Sequence, residues 1–203
     1  MIKRIVIKNA GYLYCNSNFY SSHDTIQSYQ VFDFKTGINK LFGDIDSGIW
    51  GISYYISMFN TDVDKKLFSE PFTALVDGKE VTLQDLSKQA CYLDQTVYPL
   101  FKSKRKTVYQ LIKKGLKASG LKTTPEEICN LFSLSPGRII KPIKSVGNER
   151  FRAMCAVGYA YGKQIFCFPW LSKKMINYYG NNISWLLDIL EKLNVIVILP
   201  SGS

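Results

Sequence analysis

Residues 43–53 read GDIDSGIWGIS. A hydrophobic stretch, residues 31–42, leads into them with the look of a strand, and Gly43 and Gly48 stand at the spacing of the motif GxxxxGK[ST]. In that motif backbone N–H groups curl around a polyphosphate at a helix N-terminus, a Lys reaches the phosphates and a hydroxyl holds Mg²⁺. Here Ile49 and Trp50 occupy the Lys and hydroxyl positions. Asp44 and Asp46 add anions inside the loop, where each repels phosphate. The outline of a phosphate loop is present and its chemistry is absent. Gly43 and Gly48 are therefore expected to keep a tight strand-to-helix turn, and Trp50 to pack the vacated space rather than stack on a base.

Upstream, residues 2–8 (IKRIVIK) alternate as a half-buried strand does. Their apolar run is too short, and too interrupted by Lys and Arg, for a signal peptide or a membrane span. Residues 25–34 are β-branched and aromatic enough for a second strand, and residues 35–39 form a turn around Gly37. Downstream, residues 52–59 (ISYYISMF) suit a buried helix, although their aromatics also suit a strand. Residues 62–66 are a charged break. Residues 72–76 and 79–82 flank Asp77-Gly78, the dipeptide that supplies the positive φ values of a tight hairpin. A short helix over residues 83–88 and a strand over 90–93 follow, ending at Asp94 and Gln95.

The character then turns basic and helical. Between residues 97 and 152, 13 Lys and Arg stand against Glu126, Glu127 and Glu149, so this stretch carries the entire formal charge of +10. Such a concentration suits a solvated face or an acidic partner: nucleic acid, an anionic membrane surface or an acidic protein. Residues 107–116 place Val108, Leu111, Ile112 and Leu116 on one helical face. Thr124, Pro125, Glu126 and Glu127 make a strong helix start, through a capping hydroxyl, a first-turn proline and acids that complement the helix dipole. Residues 135–137 read as a loop and residues 149–161 as a helix.

The last third alternates. QIFCF (residues 164–168) is a short apolar strand stopped by Pro169, Asn182 can cap a helix facing inward through Ile183, Leu186, Leu187, Leu190 and Leu193, and VIVIL (195–199) is a second buried strand. Two strands joined by a helix imply a parallel sheet. The chain of 203 residues is long enough for one sizeable core, and no repeat or low-complexity segment interrupts it. Its five cysteines (Cys15, Cys91, Cys129, Cys155, Cys167) are scattered without a CxxC pair, which fits a reduced cytosol. With one histidine, His23, no zinc site is expected; His23 and Asp24 lack a nucleophile at catalytic spacing and are assigned to a solvated turn.

In this order of elements the chain resembles the ATPase subunit of an ATP-binding cassette (ABC) transporter along nearly its whole length. VDGKEVT (76–82) resembles the hairpin before the Q-loop, Gln95 falls at the Q-loop glutamine, and TVYQL resembles the start of the helical subdomain. SVGNERFRAMCAVGYA (145–160) resembles the signature segment, QIFCF the Walker B strand, and VIVIL the strand before the switch histidine. Tyr14 or Tyr20 would stand where the family stacks adenine. The resemblance implies an α/β fold, a mixed-sheet core spanning residues 1–203 with a basic helical subdomain inserted at 97–152.

The departures fall on the chemistry. Pro169 and Trp170 stand at the Walker B Asp and catalytic Glu, Val146 and Asn148 at the signature Ser and second Gly, and Ser201 near the switch His. Phosphoryl transfer needs a Lys, a metal held by hydroxyl and carboxylate, and a group that orients water. None is present at the matching places, so no catalytic residue, no cofactor, no metal and no small-molecule substrate of its own are expected.

What the resemblance leaves is an inactive subunit kept for assembly. Such a subunit would pair with an active ABC ATPase subunit and dock on a transmembrane permease, in the cytoplasm at the inner face of the cell membrane. Gln95, Lys102, Lys104, Arg105, Lys106, Gly147 and Glu149 are the expected partner contacts. Nucleic-acid binding through the basic insert ranks second, since no recognised nucleic-acid motif accompanies the charge. An enzyme with rebuilt chemistry in the old cleft ranks third.

Overall fold

Among the described residues two sheets, one antiparallel and one parallel, form the framework, and the switch between them takes a single residue. The computed structural model describes residues 1–8, 31–43, 49–58 and 73–202. Strand β1 (Arg4–Lys8) buries Ile5 and Ile7 and turns its other side chains outward. It pairs antiparallel with β2 (Phe32–Lys35) in the register Ile5↔Phe34 and Ile7↔Phe32, so the apolar residues of both strands share one face. On its other side it pairs with β4 (Thr73–Val76), which forms the hairpin with β5 (Lys79–Val81). Asp77 (φ 49°) and Gly78 (φ 82°) make that turn as the dipeptide predicts. The Asp77 carboxylate also accepts from the backbone N–H groups of Lys3 and Arg4, which ties the hairpin to β1.

The expected turn over residues 35–39 shrinks to Thr36. From there the chain enters β3 (Gly37–Phe42), which lies in the other sheet. Its order is β3–β8–β7–β6, all parallel, with β8 at Ile196–Ser201, β7 at Ile165–Cys167 and β6 at Ala90–Tyr92. Every residue of β6, β7 and β8 is buried, as a parallel sheet covered on both faces requires. Helix α1 (Ile49–Met58) packs along all four strands, and α2 (Leu83–Gln89) packs against α1 and β6. Over residues 52–58 the apolar run is thus helical.

The basic stretch is helical. Helix α3 (Val108–Ser119) and α4 (Pro125–Leu131) each start with a full capping box, at Thr107 with Gln110 and at Thr124 with Glu127. Residues 135–137, expected as a loop, instead start α5 (Pro136–Ile139), a single turn with Pro136 at its first position. Helix α6 (Arg150–Ala160) packs on α3 so closely at Gly115 that a Cβ there would lie 2.9 Å from the Ala160 backbone carbon. In the last third, α7 (Lys173–Tyr179) was not legible in the sequence. Ser172 caps it, its Oγ accepting from Met175 N–H at 3.1 Å. Gly180 then separates it from α8 (Asn181–Lys192), so Asn182 lies inside the helix it was expected to cap. The inward face of α8 matches the sequence reading at Ile183, Leu186, Leu187 and Leu190. No helix among the described residues is long and apolar enough to cross a membrane.

Candidate functional site

The ends of β3, β7 and β8 meet where the phosphate-type loop leaves the sheet. Gly43 follows β3 and donates its N–H to the Ser201 carbonyl at 3.1 Å, which pins the loop entrance to β8. Ile49 is the first residue of α1, so strand β3 precedes and a helix follows residues 44–48, as the sequence indicated. Asp44, Asp46 and Gly48 lie outside the described residues, as do the side chains of Ile49 and Trp50. Cys15, Tyr14, Tyr20, His23, Asp24, the start of the strand expected at 25–34 and the break at 62–66 lie outside them too.

Helix α1 is tied to the end of β7 by a buried hydroxyl. Ser53 is fully buried and its Oγ donates to the Phe168 carbonyl at 2.6 Å; Ser57 Oγ donates in turn to the Ser53 carbonyl at 2.8 Å. Both bonds satisfy hydroxyls that would otherwise be costly to bury. Phe168 is also held to β8, its N–H donating to the Ile198 carbonyl at 2.9 Å.

Past Phe168 come Pro169 and Trp170. The Trp170 indole Nε1–H donates to the Gly43 carbonyl at 3.0 Å, joining the end of β7 to the first residue of the loop. Its ring also lies under Gly202, where a Cβ would sit only 2.9 Å from Trp170 Cζ2. Leu171 completes the closure by bridging to Ser201 and exchanging backbone hydrogen bonds with Pro200 and Gly202. A half-buried aromatic therefore ties three strand ends together. Trp170, which stands at the position of a carboxylate in the family resemblance, makes this closure through a contact 127 residues apart in the chain.

The other expected site residues are spread over a second region. Gln95 follows β6, and its side-chain oxygen is enclosed without a hydrogen-bond partner among the described residues. Lys102, Lys104, Arg105 and Lys106 are all exposed between the Pro99–Phe101 turn and α3. Gly147 is exposed with φ 63°, and Arg138 supports it from below, Nη1 donating to the Val146 carbonyl at 2.5 Å.

Glu149 faces the other way. Expected at a partner surface, it is 8% exposed, and its carboxylate accepts from Ser135 Oγ at 2.6 Å and Ser135 N–H at 3.1 Å. Arg152 lies 3.6 Å from the same carboxylate, donates to the Ser133 carbonyl and covers the Trp185 ring. Glu149 thus braces the turn that presents Gly147. Arg138 and Ser135 carried no signal in the sequence, because their contacts run to residues 8 and 14 positions away outside any helical period.

The buried thiols are chemically quiet. Burial raises the pKa of Cys91 and Cys155 and pushes Cys167 up to about 12, so they remain protonated core residues.

No family model matches the sequence, and no curated protein matches it. Solved structures do. A protein from Pyrococcus furiosus described as an ABC transporter ATP-binding protein superimposes with a TM-score of 0.65 at 14% identity, over 98% of this chain and 92% of its own. CbiO1 from Clostridium perfringens, part of the ABC transporter complex CbiONQ, gives 0.64 at 12% identity, over 100% of this chain and 80% of its own. A bacterial Atm1-family ABC exporter solved with ATP bound gives 0.60 at 12%, over 100% of this chain and 34% of the exporter. The chain has the α/β fold of ABC transporter ATP-binding domains.

Proposed function

We propose that this chain is a catalytically inactive, ABC-type subunit with a structural or regulatory role, which pairs with an active ATPase subunit and docks on a membrane permease. The observation that carries the inactive reading is the contact from Trp170 to Gly43. In an active site of this fold the residue after the Walker B strand orients water toward a phosphate held by the loop. Here an indole stands at that position and is hydrogen-bonded to the loop's own first carbonyl. Ile49, Trp50, Pro169 and Ser201 supply neither the cation, the metal ligands nor the histidine that the chemistry requires.

Docking rests on the exposed cations at Lys102, Lys104, Arg105 and Lys106, and pairing on the exposed turn at Gly147. The neighbours support a transporter setting: CbiO1 is one component of a multi-subunit complex. The chain would then sit at the inner face of the membrane through its partners. Affinity capture of the tagged chain, co-expressed with its neighbouring transporter genes, tests this. A stoichiometric complex with an ATPase subunit and a permease is expected, weakened when the four cations are replaced by Glu. Recovery of the chain alone, with every neighbour expressed, contradicts it.

A further inference from the structure

Away from the loop, the end of α1, the middle of α2, the Pro99–Phe101 turn and the turn after α6 line a partly open pocket of about 280 Å³. Met58, Tyr98, Pro99, Leu100 and Tyr161 give it apolar and aromatic walls, and among the described residues Lys163 is the charged one lining it. Ser57 and Ser87 also reach it, but their hydroxyls already donate to backbone carbonyls within their own helices.

Lys163 is unusual for a lysine in this protein. Its Nζ donates one hydrogen bond, to the Lys88 carbonyl at 2.5 Å, and no carboxylate pairs with it among the described residues. Burial lowers its pKa below the ordinary lysine value, and the neighbouring Cys91 is a protonated thiol that offers no counter-charge. A partly buried ammonium with spare donors and no anion beside it among the described residues is costly, and an anion arriving in the pocket offsets that cost. One cation among apolar walls suits one negative charge on a compact hydrophobic body; a polyphosphate would leave most of its charge unmatched. The volume lies just below the range of roughly 300–1,000 Å³ typical of drug-sized ligands, so the ligand is small.

We propose that this pocket binds a small organic monocarboxylate, its carboxylate on Lys163 Nζ and its branched or aromatic body against Met58, Tyr98 and Leu100. Occupancy would brace the Pro99–Phe101 turn, from which the exposed cations at 102–106 extend. The proposal stands apart from the inactive-ATPase reading, because none of these residues belongs to the loop or the strand ends around Trp170.

Calorimetric titration of the full chain with benzoate and with isovalerate tests it, with benzamide and isovaleramide as neutral controls. Saturable one-site binding of at least one carboxylate is expected, with its amide at least ~10-fold weaker, equivalent to about 1.4 kcal/mol. Lys163→Met, which keeps an apolar stem and removes the charge, should weaken carboxylate binding by the same factor. Leu100→Trp, which fills the pocket and leaves Lys163 in place, should abolish it and decides the matter if the Lys163 variant does not fold. Equal binding of acid and amide, binding that survives Leu100→Trp, or no saturable binding at millimolar carboxylate overturns the proposal.

Discussion

Replacing Glu149 by Ala should destabilise the protein by about 3 kcal/mol, with the loss concentrated where Gly147 is presented. The Glu149 carboxylate is 8% exposed and accepts two hydrogen bonds from Ser135, at 2.6 and 3.1 Å, with Arg152 at 3.6 Å. A hydrogen bond to a charged group contributes about 1.5–3 kcal/mol, and removing one partner of a buried pair costs about 3–5 kcal/mol. Arg152 retains the Ser133 carbonyl and the Trp185 ring, and its pairing distance is long, so the lower end of that range applies. With a urea m-value of about 2–3 kcal/mol/M, the unfolding midpoint should fall by about 1–1.5 M. Glu149→Gln keeps an acceptor for Ser135 and loses the charge, so about 1 kcal/mol is expected. In the double variant Glu149→Ala/Ser135→Ala the cost should fall short of the sum of the single costs by about 1 kcal/mol or more, because the two residues share their bonds. A Glu149→Ala unfolding free energy within about 0.5 kcal/mol of the parent would refute the internal role.

Three further outcomes follow from other parts of the fold. Trp170→Phe should cost about 1 kcal/mol through the lost bond to Gly43, and Trp170→Ala about 2 kcal/mol once packing under Gly202 is also lost, read by urea unfolding; equal stability of all three proteins would show that the indole closes nothing. Among the described residues, hydrogen bonds hold four carboxylates below their usual pKa: Asp33 by Arg4, Asp85 by Lys88, Glu126 by Tyr109 and Glu127 by Thr123. Because the folded pKa is depressed, their contribution is fully present above the unfolded carboxylate pKa of about 4 and is lost as pH falls through the folded values; the acid limb of the stability profile should flatten in Glu127→Gln, and an unchanged limb would count against its capping role. Cys91, Cys155 and Cys167 should resist iodoacetamide in the native protein and react once urea is added, as read by peptide mass spectrometry; native-state labelling at any of the three contradicts their burial.

Much of the fold was legible because its signals are local. Thr107 and Thr124 announce their helices through capping chemistry within three residues, Asp77-Gly78 fixes a hairpin, and VIVIL can only be a covered strand. What escaped has no local period. Thr36 passes the chain between sheets in one residue, where a five-residue turn had been the natural reading of Gly37. Pro136 starts a helical turn because its fixed φ suits a first position, although Ser-Pro-Gly reads as loop. The KKMINYY helix shows little amphipathic pattern and buries none of its residues fully.

The candidate site divides along the same line. The residue types at Ile49, Trp50, Pro169 and Trp170 are visible in the sequence itself, whereas the bond from Trp170 to Gly43 and the inward turn of Glu149 depend on tertiary packing. An acid at the start of a helix ordinarily faces water, and only the neighbouring Ser135 N–H and Oγ give this one a reason to face inward.

The most direct measurement is an equilibrium titration of the purified chain with MgATP, by calorimetry and by a turnover assay run in parallel. With Ile49 and Trp50 at the Lys and hydroxyl positions of the motif and Trp170 bonded to the Gly43 carbonyl, no saturable binding at millimolar MgATP and no phosphate release are expected. Saturable binding in that range, or hydrolysis that Trp170→Ala alters, would contradict the reading of this chain as an inactive subunit.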